Sequence, residues 1–385
     1  MGQLHYYPEY FYLIGGESKM ETISVHGAPS EYILQEGILD QLEAKLLERG
    51  IKKVLIVHGE ESWQAAAPFW PELTEVEYKH FQYHGENSLS EIQAISTIVT
   101  NGHFDAVIGV GGGKVLDLAK SVCHVTHTQA VLIPTLPSNC SPWTPVSVVY
   151  DDKGTFIRFD VYPVGPSLVL VEPKILLHAP VNMLIAGIAD TLAKWYEADV
   201  QLAGITNKSL PLEICYYTAK RCKDVLLQHS EGAIQAAKSG VLNDDFIKVT
   251  ETIIMLAGMV GGFGDHYGRV AGAHSIHNGL TVLKETHHAL HGEKVAYGIL
   301  VQLVLENKWE EIKELIGFYQ KLQLPLSLSD LGVQDINEET ISSVAEKSVV
   351  PGESIHVMAG EMTADAVAKA ITELETYIQT QYLYN

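Results

Sequence analysis

The sequence predicts an α/β N-terminal half with a mainly parallel sheet and an all-helical C-terminal half, on three observations. Short β-rich runs alternate with helix-like segments through residue 171. The β signals stop near residue 173. Glycine and proline punctuation at Gly204, Gly240, Gly261-Gly262 and Pro351-Gly352 then divides the remainder into long apolar-periodic segments. The boundary is placed at Glu172-Pro173, giving domains 1–172 and 173–385. A chain of 385 residues, 46% hydrophobic and 19% charged, holds ample apolar material for two cores.

In chain order, the expected strands are Lys53–His58, Val76–Tyr83, Asp105–Val110 and Ala130–Pro134. Between them Ser88–Thr100 carries Ile92, Ile95 and Ile98 or Val99 at helical spacing. A second strand group, Val146–Tyr150, Phe156–Tyr162 and Leu168–Val171, has an Asp-Asp-Lys-Gly turn signal between its first two members. The expected helices of the second half include Pro180–Gln201, Pro211–His229, Asp244–Gly261 and Thr363–Tyr382. No internal repeat is present.

Composition excludes several classes. The start, MGQLHYYPEYFYLIGG, lacks a basic segment followed by an apolar one, and Tyr6 stands where myristoylation needs Ser or Thr, so neither a secretory signal nor that lipid anchor is expected. There is no uninterrupted apolar run of about 18 residues. Four cysteines (Cys123, Cys140, Cys215, Cys222) with no CxxC pair suit a reducing cytoplasm rather than a disulfide framework. A formal charge of −21 would repel phosphate backbones and anionic lipid, so nucleic-acid and membrane partners are not expected.

Two segments carry chemistry. Asp105-Ala-Val-Ile-Gly-Val-Gly-Gly-Gly-Lys-Val-Leu-Asp-Leu-Ala-Lys120 passes from an apolar strand through three glycines into a helix. The unpaired N–H groups of a helix start, approached closely over glycine, form a seat for a pyrophosphate. The segment is not a Walker A loop, because Ile108 and Val115 replace the required Gly and Ser/Thr. Nor is it GxGxxG, because Lys114 replaces the last Gly, and an ordinary strand-to-helix turn also explains it.

The second segment, His266 to His291, holds six of the 17 histidines: His266, His274, His277, His287, His288 and His291. Such density points to metal ligation. His274 and His277 share a face if Ala271–Asn278 is helical, and the 279–290 connection is long enough to return His291 beside them. A carboxylate commonly completes a three-ligand site with one position open. Asp190, which interrupts an apolar helix start, is the candidate; a helix-dipole charge is the alternative.

The blocks GVGGGKVLDLAK, IPTLPSNCSPWTPVSVVYDDKG, AGIADTLAKWYEA and GAHSIHNGLTVLKETHHALHGEKVAYGILVQ resemble the glycerol dehydrogenase branch of the iron-containing alcohol dehydrogenase superfamily, and the similarity runs through essentially the whole chain. The resemblance implies a dinucleotide-binding α/β domain and a helical metal-binding domain, the dehydroquinate synthase-like architecture, with the active site between them. It places the metal ligands on Asp190, His274 and His291. It places cofactor contacts on Gly113, Lys114, Thr135, Ser138, Thr144, Val146 and Tyr150, with Asp117 supporting the turn. His277, His287 and His288 become cleft residues, and His277, His287 or bound water would carry protons. The implied cofactors are NADP or NAD and one divalent ion, zinc first, with iron or nickel as alternatives. The implied partner is a small substrate, with room for a homo-oligomer.

Three departures bear on specificity. Glycerol dehydrogenases carry an Asp where this chain has Cys140, smaller residues where it has Trp143, and Gly where it has Arg269. Losing an acid and gaining a guanidinium favours an anionic substrate, and the chain resembles the hydroxycarboxylate dehydrogenase type more closely; the alternative for Arg269 is a structural ion pair. Gly59 replaces the Asp that binds adenosine ribose hydroxyls, which permits NADP, while Glu60 and Glu61 oppose it. The expected activity is reversible reduction of a small 2-oxo acid by hydride transfer, with His277, Cys140, Trp143 and Arg269 on the substrate side. Glycerol or another polyol is the second substrate class. A dehydroquinate synthase-like lyase lacks its basic phosphate-binding set here, and a non-catalytic binding protein would leave both halves of a redox site unexplained.

Overall fold

The computed structural model describes residues 23–383; the N-terminal segment bearing the signal and lipid-anchor readings lies outside them. The α/β half runs β1 (Tyr32–Leu34), α1 (Leu42–Glu48), β2 (Lys53–His58), α2 (Glu60–Ala66), β3 (Glu77–Gln82), α3 (Leu89–Gly102), β4 (Ala106–Gly111), α4 (Gly113–Thr126), β5 (Gln129–Pro134), β6 (Val146–Tyr150), β7 (Phe156–Val161) and β8 (Leu168–Val171). Six strands form one parallel sheet in the order β1-β8-β5-β4-β2-β3, while β6 and β7 pair antiparallel. Because β3 and β4 lie on opposite sides of β2, the strand order reverses there. The crevice at the strands' C-terminal ends is where such sheets take ligands.

The apolar runs reflect burial on both faces, complete along β4 and β8, whereas the edge strand β3 is mostly exposed. One face packs Val54, Ile56, Ile108 and Ile133 against Leu42 and Leu46 of α1. The other sets Leu55, Val107, Leu132 and Val169 against α3 and α4, in a core that continues into the helical half through Ile188, Leu192 and Tyr297. Each such aliphatic side chain contributes about 1.5–3 kcal/mol on burial. The strand β1 escapes sequence reading because Tyr-Ile-Leu is too short to alternate and only half-buried.

From Pro173 onward the described chain is helical: α5 (Pro173–Leu177), α6 (Val181–Leu202), α7 (Leu210–Ser239), α8 (Asp244–Glu251), α9 (Ala257–Gly264), α10 (Gly272–Leu280), α11 (His291–Leu305), α12 (Trp309–Leu322), α13 (Glu338–Ser348) and α14 (Ala364–Ile378). Helix α7 runs ten residues past the predicted end at His229, to Gly240 at φ 67. Gly232 is tolerated inside it because a Cβ there would strike the Asp245 carboxylate. A π-helical turn, Thr252–Leu256, joins α8 to α9. The continuous run Asp244–Gly268 is long and apolar enough to cross a membrane by length and composition, and 56% of its most apolar window is buried inside the protein.

Candidate metal and dinucleotide site

The site is assembled on one face of α6, where Gly187, Asp190, Lys194, Glu197 and Gln201 follow at three- and four-residue spacing. Three glycines let backbones close around that helix, two of them against α6 itself and one between the two histidine-bearing helices. A Cβ at Gly187 would strike the Pro137 carbonyl, one at Gly292 the Ala186 carbonyl, and one at Gly298 the Ala273 carbonyl. The loop after β5 and the start of α11 therefore close on α6, α10 packs on α11 and is tied to α6 by Glu197, and Asp190, His274 and His291 converge. One ligand atom from each lies within 4.8 Å of the others. His274 Nε2 and His291 Nε2 stand 3.3 and 3.4 Å from the same oxygen, Asp190 Oδ1. That oxygen is buried and has no hydrogen-bond partner among the described residues. Two imidazole nitrogens aimed at one orphaned carboxylate oxygen are a donor set that fits a divalent ion.

Outer partners fix the imidazoles. Glu197 Oε2 sits 2.7 Å from His274 Nδ1, while its Oε1 accepts the Ala271 and His274 backbone N–H groups at 2.7 and 3.0 Å. The carboxylate thus holds a proton on Nδ1 and makes Nε2 the nitrogen that would bind a metal. Burial opposes a charge on His274, but Glu197 and Asp190 outweigh it and hold the imidazole up at about 9, so a metal bound at Nε2 would displace a proton there. Against the burial penalty, His274 and His291 hold Asp190 well below the usual carboxylate range. His291 Nδ1 meets His277 Nε2 at 3.0 Å, His277 Nδ1 meets Asn278 Oδ1 at 3.1 Å, and Asn278 donates to both Glu353 oxygens at 3.1 Å. Burial, then His291 and His274, push His277 well below the ordinary histidine value, so it stands neutral.

On the sheet side, Gly111, Gly112 and Gly113 have ordinary φ values, so the triple glycine serves close approach rather than left-handed turning. Cβ atoms there would lie 2.8 Å from Val115, 2.9 Å from Leu136 and 2.7 Å from Asn139. The first N–H groups of α4 face the crevice beside β2. Lys114 Nζ pairs with Glu86 at 2.6 Å and lies 5.2 Å from the Tyr150 ring centroid. Thr135 is buried at the end of β5, its N–H bonded to the Gly111 carbonyl at 3.0 Å, and Ser138 follows where the loop crosses Gly187. Thr144 and Val146 lead into β6, their carbonyls bound by Lys120, and Tyr150 ends that strand. Asp117 braces the loop with both oxygens, accepting from Ser141 Oγ at 2.6 Å and Val148 N at 2.9 Å.

Residues 29–173 match the family model of iron-containing alcohol dehydrogenases. Hydroxycarboxylate dehydrogenase A of Escherichia coli K12 is 36% identical over 356 residues, covering 92% of this chain and 98% of that protein. Glycerol dehydrogenase of Citrobacter freundii is 38% identical over 298 residues, 75% of this chain and 80% of that one. The crystal structure of glycerol dehydrogenase from Schizosaccharomyces pombe superposes with a TM-score of 0.83 at 28% identity, covering 96% of this chain and 95% of that one. This chain belongs to the iron-containing alcohol dehydrogenase family. It is an oxidoreductase of a metal-dependent, NAD(P)-linked family that acts on alcohol groups.

In this dehydrogenase the expected substrate-side residues do not all face the same space. Cys140, in the loop against α6, shares an electrostatic environment with Asp190 and Lys194, and burial raises its thiol. Trp143 is 7% exposed, donates its indole N–H to the Gly27 carbonyl at 2.9 Å, and packs on Tyr32 and Gly258, so it forms a wall. Arg269 sends Nη2 to Asp265 Oδ1 at 3.5 Å, the structural ion pair that its sequence left open. His287 Nε2 lies 3.0 Å from the Thr281 carbonyl, and His288 lies against Gly332. Sequence reasoning missed Glu197 and Lys194, although both lie in the quoted AGIADTLAKWYEA block, seven and four residues after Asp190.

Proposed function

We propose that the protein interconverts a small 2-oxo acid and its 2-hydroxy acid by hydride transfer with a nicotinamide cofactor. The observation that carries the reading is the neutral thiol of Cys140 on the loop facing Asp190, in place of an acidic group that would repel a substrate carboxylate. The near end-to-end match to a hydroxycarboxylate dehydrogenase supports it. Asp190, His274 and His291 would hold the ion, with zinc favoured by the two imidazoles and one carboxylate. When bound, the ion supplies Lewis-acid stabilisation of negative charge on the substrate oxygen. Glu197 keeps the His274 proton on Nδ1, and His277 accepts the Nδ1 proton of His291 at Nε2.

The dinucleotide would lie across Gly113 and Lys114 at the α4 start, with its nicotinamide end toward Thr144, Val146 and Tyr150, in the cleft between segments 1–172 and 173–385. Gly59 begins α2 without a carboxylate, and its N–H bonds Ser62 Oγ at 2.9 Å, which leaves room for NADPH as well as NADH. The four thiols are all free, in keeping with a cytoplasmic place. A polyol is the second reading, favoured by the glycerol dehydrogenase relatives. The deciding experiment is steady-state turnover of 2-oxobutyrate and of glycerol on zinc-reconstituted protein with each cofactor. A kcat/KM at least about 100-fold higher for the oxo acid supports the proposal; a preference for glycerol rejects it.

A further inference from the structure

Lys194 lies on the metal-bearing face of α6, one turn after Asp190 and one before Glu197. Its ammonium has three donors, yet among the described residues its one hydrogen bond goes to the Arg269 carbonyl, at 3.3 Å. Neither flanking acid closes a salt bridge with it. Asp190 Oδ1 faces His274 and His291 rather than the ammonium, and Glu197 spends both oxygens on His274 and Ala271. The lysine nevertheless shares its surroundings with Asp190, Cys140 and Glu197, which places it at the junction of metal trio and substrate loop. Arg269, the cation the sequence suggested for an anionic substrate, is turned toward Asp265.

Resting on the 2-oxo acid reading above, we propose that Lys194 is the residue that binds the substrate carboxylate and so sets specificity for acids over neutral ketones. Residues one turn apart on a helix have Cβ atoms about 5–6 Å apart. With both side chains on one face, a carboxylate joined directly to the reacting carbon would lie toward Lys194 when the carbonyl oxygen lies toward the Asp190 side. The partly filled ammonium gains charge-assisted hydrogen bonds from such a ligand, in a half-buried place where they are stronger than in water. A neutral hydroxyketone offers it much less. The Arg269 carbonyl serves to aim the ammonium.

The test compares wild type, Lys194→Thr and Lys194→Arg, each zinc-reconstituted, on 2-oxobutyrate and on the neutral 1-hydroxy-2-butanone, with oxamate binding by calorimetry and zinc content by atomic emission. Losing one charge-assisted hydrogen bond should lower kcat/KM of Lys194→Thr for 2-oxobutyrate by about 30- to 100-fold, chiefly through KM. Oxamate should weaken in parallel, the hydroxyketone should stay within about threefold, and zinc content should not change. Lys194→Arg should recover part of the acid preference. Equal losses on both substrates, loss of zinc, or an undiminished acid preference in Lys194→Thr would overturn the proposal. A wild-type protein that prefers the hydroxyketone and ignores oxamate would instead defeat the 2-oxo acid reading, and this proposal with it.

Discussion

Helices α4 and α6 each present an aspartate followed within one turn by a lysine, Asp117 with Lys120 and Asp190 with Lys194, and the two pairs are finished differently. The ammonium of Lys120 is 3% exposed and saturated: it meets Asp117 Oδ1 at 2.9 Å, the Ser141 carbonyl and hydroxyl at 2.8 and 3.2 Å, the Thr144 carbonyl at 3.1 Å, and the Val146 carbonyl. Asp117 completes the network with Ser141 and Val148. On α6, among the described residues, Asp190 keeps an oxygen without a hydrogen-bond partner, and Lys194 bonds one carbonyl. A charged pair whose valences are all met is a brace. A pair left short faces a ligand.

The sharpest way to break that contrast is to neutralise the unfinished aspartate. Asp190→Asn should lose metal binding and, with it, Lewis-acid stabilisation worth several kcal/mol, so turnover should fall by about 10³-fold or more. Binding of NADH, followed by its fluorescence, should survive, because the α4 start is untouched. Full activity in a metal-stripped Asp190→Asn protein would remove the metal role from this trio.

Removing the saturated cation should act on stability instead. Lys120→Met leaves Asp117 with a buried charge and four carbonyl or hydroxyl groups without their donor, a loss of about 3–5 kcal/mol. Denaturant unfolding should show a lower midpoint at unchanged slope. Zinc content of the surviving folded protein should match wild type. A variant as stable as wild type would mean that the loop from Ser141 to Val146 holds itself.

The same contrast explains what was readable beforehand. Lys53–His58, Val146–Tyr150 and Leu168–Val171 were legible to the residue, because they are apolar or alternating runs between breakers. The end of α7 was not, since Gly232 answers to Asp245 on another helix. At the site, histidine density pointed to a metal, but selecting His274, His291 and Asp190 needed the matched motif blocks; spacing alone left them among six histidines and an ambiguous acid. Glu197 and Lys194 read as ordinary polar positions in a helix. Their roles come from α10 and the 269–271 backbone crossing that face, a long-range fact that periodicity does not contain.

A third charged cluster, at the surface, calibrates the smallest effect. Glu31 accepts from Lys45 at 2.9 Å and from Arg49, and these bonds, Lys45 first, hold its carboxyl below the ordinary 4.5. A depressed folded pKa means stability that is fully present above the unfolded value and is lost as pH falls through the folded one. Solvent screening keeps the contribution small, at most about 1 kcal/mol. Thermal unfolding should therefore show Glu31→Gln slightly less stable than wild type at pH 6, with the gap closing as both are taken below pH 4.5. If the gap instead persists unchanged through that range, it reflects packing of the Arg49 and Lys45 stems, and this partly buried surface ion pair carries no measurable share beside the buried brace on α4.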